Sequence, residues 1–277
     1  MLRSTFCHLP GIGLQRERQL WSVGVGSWDM LSEAEKLPRL ASTRDRIKIL
    51  LDESRKNLEL SDPSYFARLL PVNQHWRLFP EFRHTTAYLD IETTGLGFES
   101  HITTIVVYDG SRLSHYVWGQ NLADFKDDIR RYKLLVTYNG KCFDLPFIER
   151  DLKVKLRQAH IDLRYVLKSL GYMGGLKACE KRVGIGRNEL EGVDGYFAVL
   201  LWDNYVSSNN DRALETLLAY NSLDVVNLET LMVIAYNMKV KRTPFAKTHL
   251  LSLPASPVLP FAPDIETIAR IRRAKLW

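Results

Sequence analysis

The chain carries acidic side chains at three places where local structure would aim them at a common point. In Tyr88-Leu89-Asp90-Ile91-Glu92-Thr93-Thr94-Gly95-Leu96, Asp90 and Glu92 stand two residues apart. Side chains alternate along a strand, so these acids share one face while Leu89 and Ile91 take the other. Like charges held that close repel unless a cation lies between them or one keeps its proton, which makes the pair a candidate site for a hard metal ion. A solvated strand face ending in a polar turn is the plainer alternative. The second place is Thr137-Tyr138-Asn139-Gly140-Lys141-Cys142-Phe143-Asp144, where the glycine permits a sharp turn and Asp144 opens a helix. Free amides and the helix dipole favour a carboxylate there, and capping alone would account for it. In the third, Tyr220-Asn221-Ser222-Leu223-Asp224, one helical turn sets a phenol above a carboxylate, an arrangement that is structural in most helices.

The elements that must position these residues follow from periodicity. Thr86 to Ile91, Ile102 to Tyr108 and Leu113 to Trp118 are β-rich runs separated by turns such as Asp109-Gly110, in the order of an antiparallel meander. A helical stretch, Leu122 to Tyr132, leads to a fourth strand at Leu134 to Tyr138. A helix near Asp144 and a short fifth strand at His160 to Leu163 come next, and the chain is then mostly helical to Lys239, with Leu214, Leu217, Leu218, Val225, Leu228 and Leu231 marking the late helix. This order predicts an α/β domain with a mixed five-stranded sheet and helices on its faces. Before it, Ala41 to Leu60 reads as a charged helix with Ile47, Leu50, Leu51, Ser54 and Leu58 along one side, and Trp76, Phe79 and Phe82 make an aromatic connector. After it, Pro254, Pro257, Pro260 and Pro263 stiffen a linker ahead of a short basic helix at Asp264 to Leu276. The divisions drawn are 1–84, helical; 85–240, the α/β domain; and 241–277, the linker and basic helix.

Composition narrows the class of protein. Of the 277 residues 45% are hydrophobic and 25% charged, enough apolar material for a sizeable core. No run approaches eighteen consecutive apolar residues, and the first residues lack a signal-peptide stretch, so an intracellular, cytoplasmic protein with no membrane partner is expected. Three dispersed cysteines, Cys7, Cys142 and Cys179, suit reduced thiols and packing rather than disulfides or zinc. Net charge is +6, and residues 239–277 hold eight basic and two acidic side chains, so that segment carries the whole excess and favours a polyanionic partner.

Taken together, Asp-x-Glu on a first strand, Asn-x3-Phe-Asp after a later strand and Tyr-x3-Asp on a late helix resemble the three motifs of DnaQ-like exonucleases in the DEDDy branch, which have a ribonuclease H-like fold. Tyr-Asn-Gly-Lys around Asn139, the Gly192-Val193-Asp194-Gly195 loop and the Pro10-Gly11-Ile12-Gly13 start resemble the stand-alone YprB-like group. The resemblance covers roughly residues 85 to 238. It implies that Asp90, Glu92, Asp144 and Asp224 hold two divalent ions, Mg²⁺ or Mn²⁺, with Asp90 shared, Glu92 and Asp224 completing the first site and Asp144 supporting the second. It implies that Tyr220 orients the attacking water, and that Thr93, Gly95, Leu96, Asn139, Lys141 and Phe143 contact the substrate strand.

The implied activity is 3′-to-5′ removal of nucleoside monophosphates from single-stranded DNA or RNA, DNA slightly favoured. The alternative is a nucleic-acid-binding module that uses the same core without turnover. Several other features are weighed beside this. Arg182 and Arg187 are candidate phosphate contacts or ordinary surface charge. Asp162, outside the motifs, is read as structural. Phe6 to Gly13 resembles the hairpin of helix-hairpin-helix modules with its first helix fragmentary, a turn whose free amides could hold a phosphate. Residues 1–84 and 252–277 could also dock a protein partner.

Overall fold

The computed structural model describes residues 1–33 and 44–274. The expected helix start at Ala41 and the end of the basic helix at Lys275 and Leu276 lie outside the described residues.

The N-terminal region comprises α1 (Leu14–Ser22), α2 (Trp28–Glu33), α3 (Arg44–Glu59), α4 (Pro63–Leu69) and the single turn α5 (Phe79–Phe82). The meander then appears as β1 (Thr86–Thr93), β2 (Ile102–Tyr108) and β3 (Leu113–Val117). The next stretch is less regular than expected: only the turn α6 (Phe125–Asp128) is α-helical, flanked on both sides by 3₁₀ turns. It leads to β4 (Leu134–Thr137), α7 (Asp144–Leu152), β5 (Ala159–Asp162), α8 (Leu163–Lys168), α9 (Leu176–Val183), α10 (Gly195–Ser208), α11 (Asp211–Val240) and α12 (Ile265–Ala274).

The five strands form one mixed sheet in the order β3-β2-β1-β4-β5. β1 lies at its centre, antiparallel to β2 and parallel to β4. Both faces are covered, so the side-chain alternation sorts residues between two cores. Leu89 and Ile91 pack with Phe125, Ile129, Phe147 and Ile148 on one face. Tyr88, Val106 and Val136 pack on the other against Val225, Leu228 and Met232 of α11. Asp90 and Glu92 therefore sit beneath a helix rather than on an open patch, and are largely shielded from solvent.

α11 is the spine of that second face. An 18-residue window of it has a mean hydropathy of 1.3, apolar enough in composition to cross a bilayer, yet 83% of the window is buried in the fold. A search for unbroken apolar runs passes over it because polar site residues interrupt the pattern.

The N-terminal region shares the same core, with Leu2, Phe6, Trp28, Leu51 and Phe66 continuous with Tyr236 and Val240 of α11. A buried ion pair locks it in place. Glu17 accepts the amides of Phe6 at 2.7 Å and Cys7 at 3.0 Å, and pairs with Arg77 at 2.8 Å. The chain's own carboxylate thus occupies amides at the start of the turn read as a phosphate holder. α12 also folds back, burying Ile268 and Ile271 against the cluster that holds Leu201 and Leu217.

Glu17→Ala leaves Arg77 buried without a counter-charge, and is expected to lower the unfolding free energy by about 3 to 5 kcal/mol. Urea denaturation checks this; a loss below about 1 kcal/mol would show that the pair does not tie the region to the domain.

Candidate active site

The site opens where two neighbouring strands part. β1 and β4 pair through Thr86, Ala87 and Tyr88 and no further, the last register being Tyr88 with Val136. Beyond it β1 continues with β2 alone. Past Thr137 the chain of β4 turns away, and the gap is filled by the first residue of α7. Asp144 accepts the Ile91 amide at 3.2 Å, an amide in the stretch of β1 that β4 no longer flanks. The N-cap of α7 is Phe143, without a side-chain cap bond, so helix capping is not what fixes Asp144.

The turn that delivers Asp144 works differently from the sequence expectation. Asn139, not the glycine, takes the left-handed conformation, with φ of 66°. Gly140 is needed for closeness: a Cβ there would lie 2.3 Å from Thr137 Oγ1, the atom that accepts the Gly140 amide. Asp162 braces the same turn, accepting the amides of Asn139 at 2.8 Å and Lys141 at 3.1 Å.

Asp90, Glu92 and Asp224 converge, each offering an oxygen within 4.8 Å of the others. Asp144 stands beside this trio. The four acids and Tyr220 line a cavity of about 540 Å³, together with Thr93, Gly95, Leu96, Asn139 and Phe143. Leu96 stands at the rim, 85% exposed. Of the residues expected to touch substrate, Lys141 alone is elsewhere: it is exposed and lines a neighbouring cavity. The amide of Thr94 is already occupied by the His101 carbonyl at 2.9 Å.

Crowding shows in the ionisation of the acids. Burial, then the charges of Asp144, Asp224 and Glu92, push the Asp90 carboxyl well above the usual range. Burial raises Glu92 to about 8, against the pull of Lys177. Burial likewise raises Asp144 to about 7, with its own amide and that of Ile91 acting in the other direction. The Tyr220 phenol is pushed far up by burial and by Asp224 and Glu92, so it remains a hydrogen-bond donor at neutral pH. Three hard oxygen donors in mutual repulsion, with no histidine or cysteine among them, fit a divalent cation of the Mg²⁺ or Mn²⁺ kind.

Five residues to which the motifs give no role complete the site: Asn221, Lys177, Arg187, Glu180 and Asn227. Asn221 donates to Asp90 at 2.7 Å and accepts from Thr104 at 3.1 Å, fixing the direction of the acid. Lys177 donates to one oxygen of Asp224 and Arg187 to the other. Both cations also lie over the Tyr220 ring, 4.4 Å and 5.3 Å from its centroid. Arg187 is itself held by Glu180 at 2.8 Å, and Glu180 by Asn227 at 2.8 Å. Arg187, read from sequence as a candidate phosphate contact or ordinary surface charge, is not a surface residue: it is buried and committed to two carboxylates. Arg182 lies outside the cavity, over Tyr172 and near the Gly171 carbonyl. Lys177 and Glu180 sit three apart on α9, a spacing that in sequence looks like any surface ion pair.

Comparison with known proteins places this arrangement. The uncharacterized protein YprB of Bacillus subtilis (strain 168) is 29% identical over 168 residues, a stretch covering 53% of this chain and 40% of YprB. The match therefore spans less than half the length of that relative. Among solved structures, the family B DNA polymerase from the hyperthermophilic archaeon Pyrobaculum calidifontis is similar with a TM-score of 0.42 at 15% identity, over 56% of this chain and 24% of that one. The RNase_H_2 family model, of the RNase_H superfamily, matches residues 87–236, which run from β1 through most of α11 and hold all four acids and Tyr220. With more than half of its length matched, the chain belongs to the RNase H superfamily.

Proposed function

We propose that this protein is a metal-dependent exonuclease of the DEDDy kind that shortens single-stranded nucleic acid from the 3′ end. The observation that carries this reading is the trio Asp90, Glu92 and Asp224, with oxygens within 4.8 Å of one another, in a cavity that also holds Asp144 and Tyr220. These residues would hold two divalent ions, which when bound stabilise the attacking and leaving oxygens of an in-line phosphoryl displacement.

The remaining chemistry belongs to the side chains. Asn221 keeps Asp90 aimed into the cavity. Tyr220, protonated and buried one turn from Asp224, would donate a hydrogen bond that orients the attacking water. Asn139, Phe143 and Leu96 line the wall and rim where the terminal nucleotide would lie. Lys177, the partly exposed cation at the cavity, could shift from Asp224 to a phosphate once the carboxylate is otherwise neutralised. The product is a nucleoside monophosphate, and DNA is slightly favoured over RNA.

A second reading rests on those same cations. Lys177 and Arg187 already compensate Asp224 from within the protein, so the fold could hold a strand here without turnover.

Two measurements separate the readings. End-labelled single-stranded DNA and RNA with Mg²⁺ or Mn²⁺ are expected to be shortened by the wild type, and Asp90→Ala and Asp224→Ala to slow this by about a hundredfold or more. Substrate left intact by the wild type, or variants as fast as wild type, would sink the exonuclease reading. Independently of turnover, Mg²⁺ or Mn²⁺ at a hundred times its Kd is expected to stabilise the protein by about 2.7 kcal/mol. For a chain of this size that is a rise of about 5 to 10 °C in Tm. Glu92→Gln is expected to abolish most of the rise; an equal rise in that variant would move the ions elsewhere.

A further inference from the structure

Outside the catalytic cavity, cationic side chains gather along β5, an edge strand of the sheet. A cavity of about 920 Å³ runs beside it between α4, α8 and the turn that follows β4. A second cavity of about 470 Å³ adjoins the first, sharing Ser64, Arg157 and Gln158 with it. Six cationic side chains line the pair: Arg68, Lys141 and Arg157 in the larger, and Arg130, Lys133 and Lys155 beside Arg157 in the smaller.

The two acids on this surface are already engaged. Asp62 caps α4 by accepting the Ser64 amide at 2.9 Å, and Asp162 accepts the amides of Asn139, Lys141 and Arg164. Arg68, Lys141 and Arg157 are exposed and have no ion pair among the described residues. Unpaired cations around one concavity create a field that attracts a polyanion. The lining between them is apolar, with Ala67, Val72, Ile161 and Val166, and Tyr165 is 49% exposed. Phosphates for the rim and flat bases for the tyrosine are the two halves of a nucleic-acid strand.

Position adds direction. β5 is parallel to β4, which is parallel to β1, so its C-terminal residue Asp162 lies at the same end of the sheet as the acids. The turn braced by Asp162 divides the two concavities: Asn139 and Phe143 face the catalytic cavity, Lys141 and Cys142 the groove. Four residues of β5 span about 13 Å, room for several linked nucleotides when the adjoining cavity is added.

We propose that the groove along the outer edge of β5 carries the single strand that leads to the cleaved end, its phosphates paired with Arg68, Arg157 and Lys141 and a base stacked on Tyr165. This rests on the exonuclease reading for what happens at the end of the strand, but not for binding itself. It is tested by fluorescence anisotropy with labelled oligothymidylate and a matched RNA, with divalent ions chelated, over a series of salt concentrations.

The double variant R68A/R157A is expected to bind about tenfold more weakly, with the slope of log affinity against log salt reduced by about 1.4 for two lost phosphate contacts. Tyr165→Ala is expected to weaken binding about fivefold or more with the slope unchanged. These side chains are exposed, and an unchanged thermal melt confirms folding. Wild-type affinity and slope in R68A/R157A overturn the proposal, as does a wild type that binds no oligonucleotide or prefers blunt duplex. A wild type that binds with the expected slope but never shortens the strand supports the groove and removes the exonuclease reading. One that shortens the strand while R68A/R157A binds like wild type removes the groove alone.

Discussion

Mutual repulsion among Asp90, Glu92 and Asp224 is the constraint around which the rest of this fold is arranged. Carboxylate oxygens within 4.8 Å of one another, beneath a helix and away from bulk water, would drive their own carriers apart if those were soft. The carriers are the stiffest elements present. β1 is the central strand and is paired on both sides at its start. α11 is thirty residues long and packs its apolar side chains across the same sheet face. Where rigidity leaves charge uncompensated, cations are brought in: Lys177 and Arg187 each take one oxygen of Asp224. Arg187 is costly to bury, and Glu180 and Asn227 are arranged behind it for that reason, although its Nε lacks a partner among the described residues.

The parting of β1 from β4 follows from the same demand. A fully paired β4 would leave no space for a substrate or for a fourth acid. Ending the pairing at Tyr88 and Val136 opens a crevice at the strand ends, where ligands bind in open α/β sheets. The amides exposed by that parting need acceptors. Asp144 serves Ile91, and Asp162 serves the turn after β4, so two carboxylates that resemble each other in sequence have different work. One lines the cavity, and the other holds the turn from which the cavity wall is built.

What could be read from sequence divides along a physical line. Strand alternation placed Asp90 and Glu92 on one face, and the helical turn paired Tyr220 with Asp224, because both are local periodicities. The five strands and their order followed from β-branched runs and turn residues for the same reason. Lys177 and Arg187 were not legible as site residues: they meet Asp224 from 47 and 37 positions away, and no period links them. Asn221 lay inside a recognised motif, but its bond to Asp90 across 131 positions depends on how α11 sits on β1. Gly140 looked like a residue chosen for backbone freedom, while the structure shows one chosen for closeness to Thr137. Glu17 was legible only as a helix residue, and its pairing with Arg77 joins segments sixty positions apart.

Charge shows the same limit most sharply. Summed along the chain, the positive excess falls in residues 239–277 and suggests a basic arm reaching for a polyanion. In the fold, α12 packs through Ile268 and Ile271, Arg270 donates to Asn204, and Arg272 donates to the Glu191 carbonyl. Two of the tail's cations thus help to fasten the helix. The cations along β5 come instead from several separate segments, and the acids that share their cavities, Asp62 and Asp162, cap a helix and brace a turn. What a polyanion meets is not the net charge of a segment but the charge left after internal acceptors and partners are satisfied. Arg68, Lys141 and Arg157, exposed and unpaired among the described residues, are charges of that kind, and they stand beside the turn that walls the acidic site.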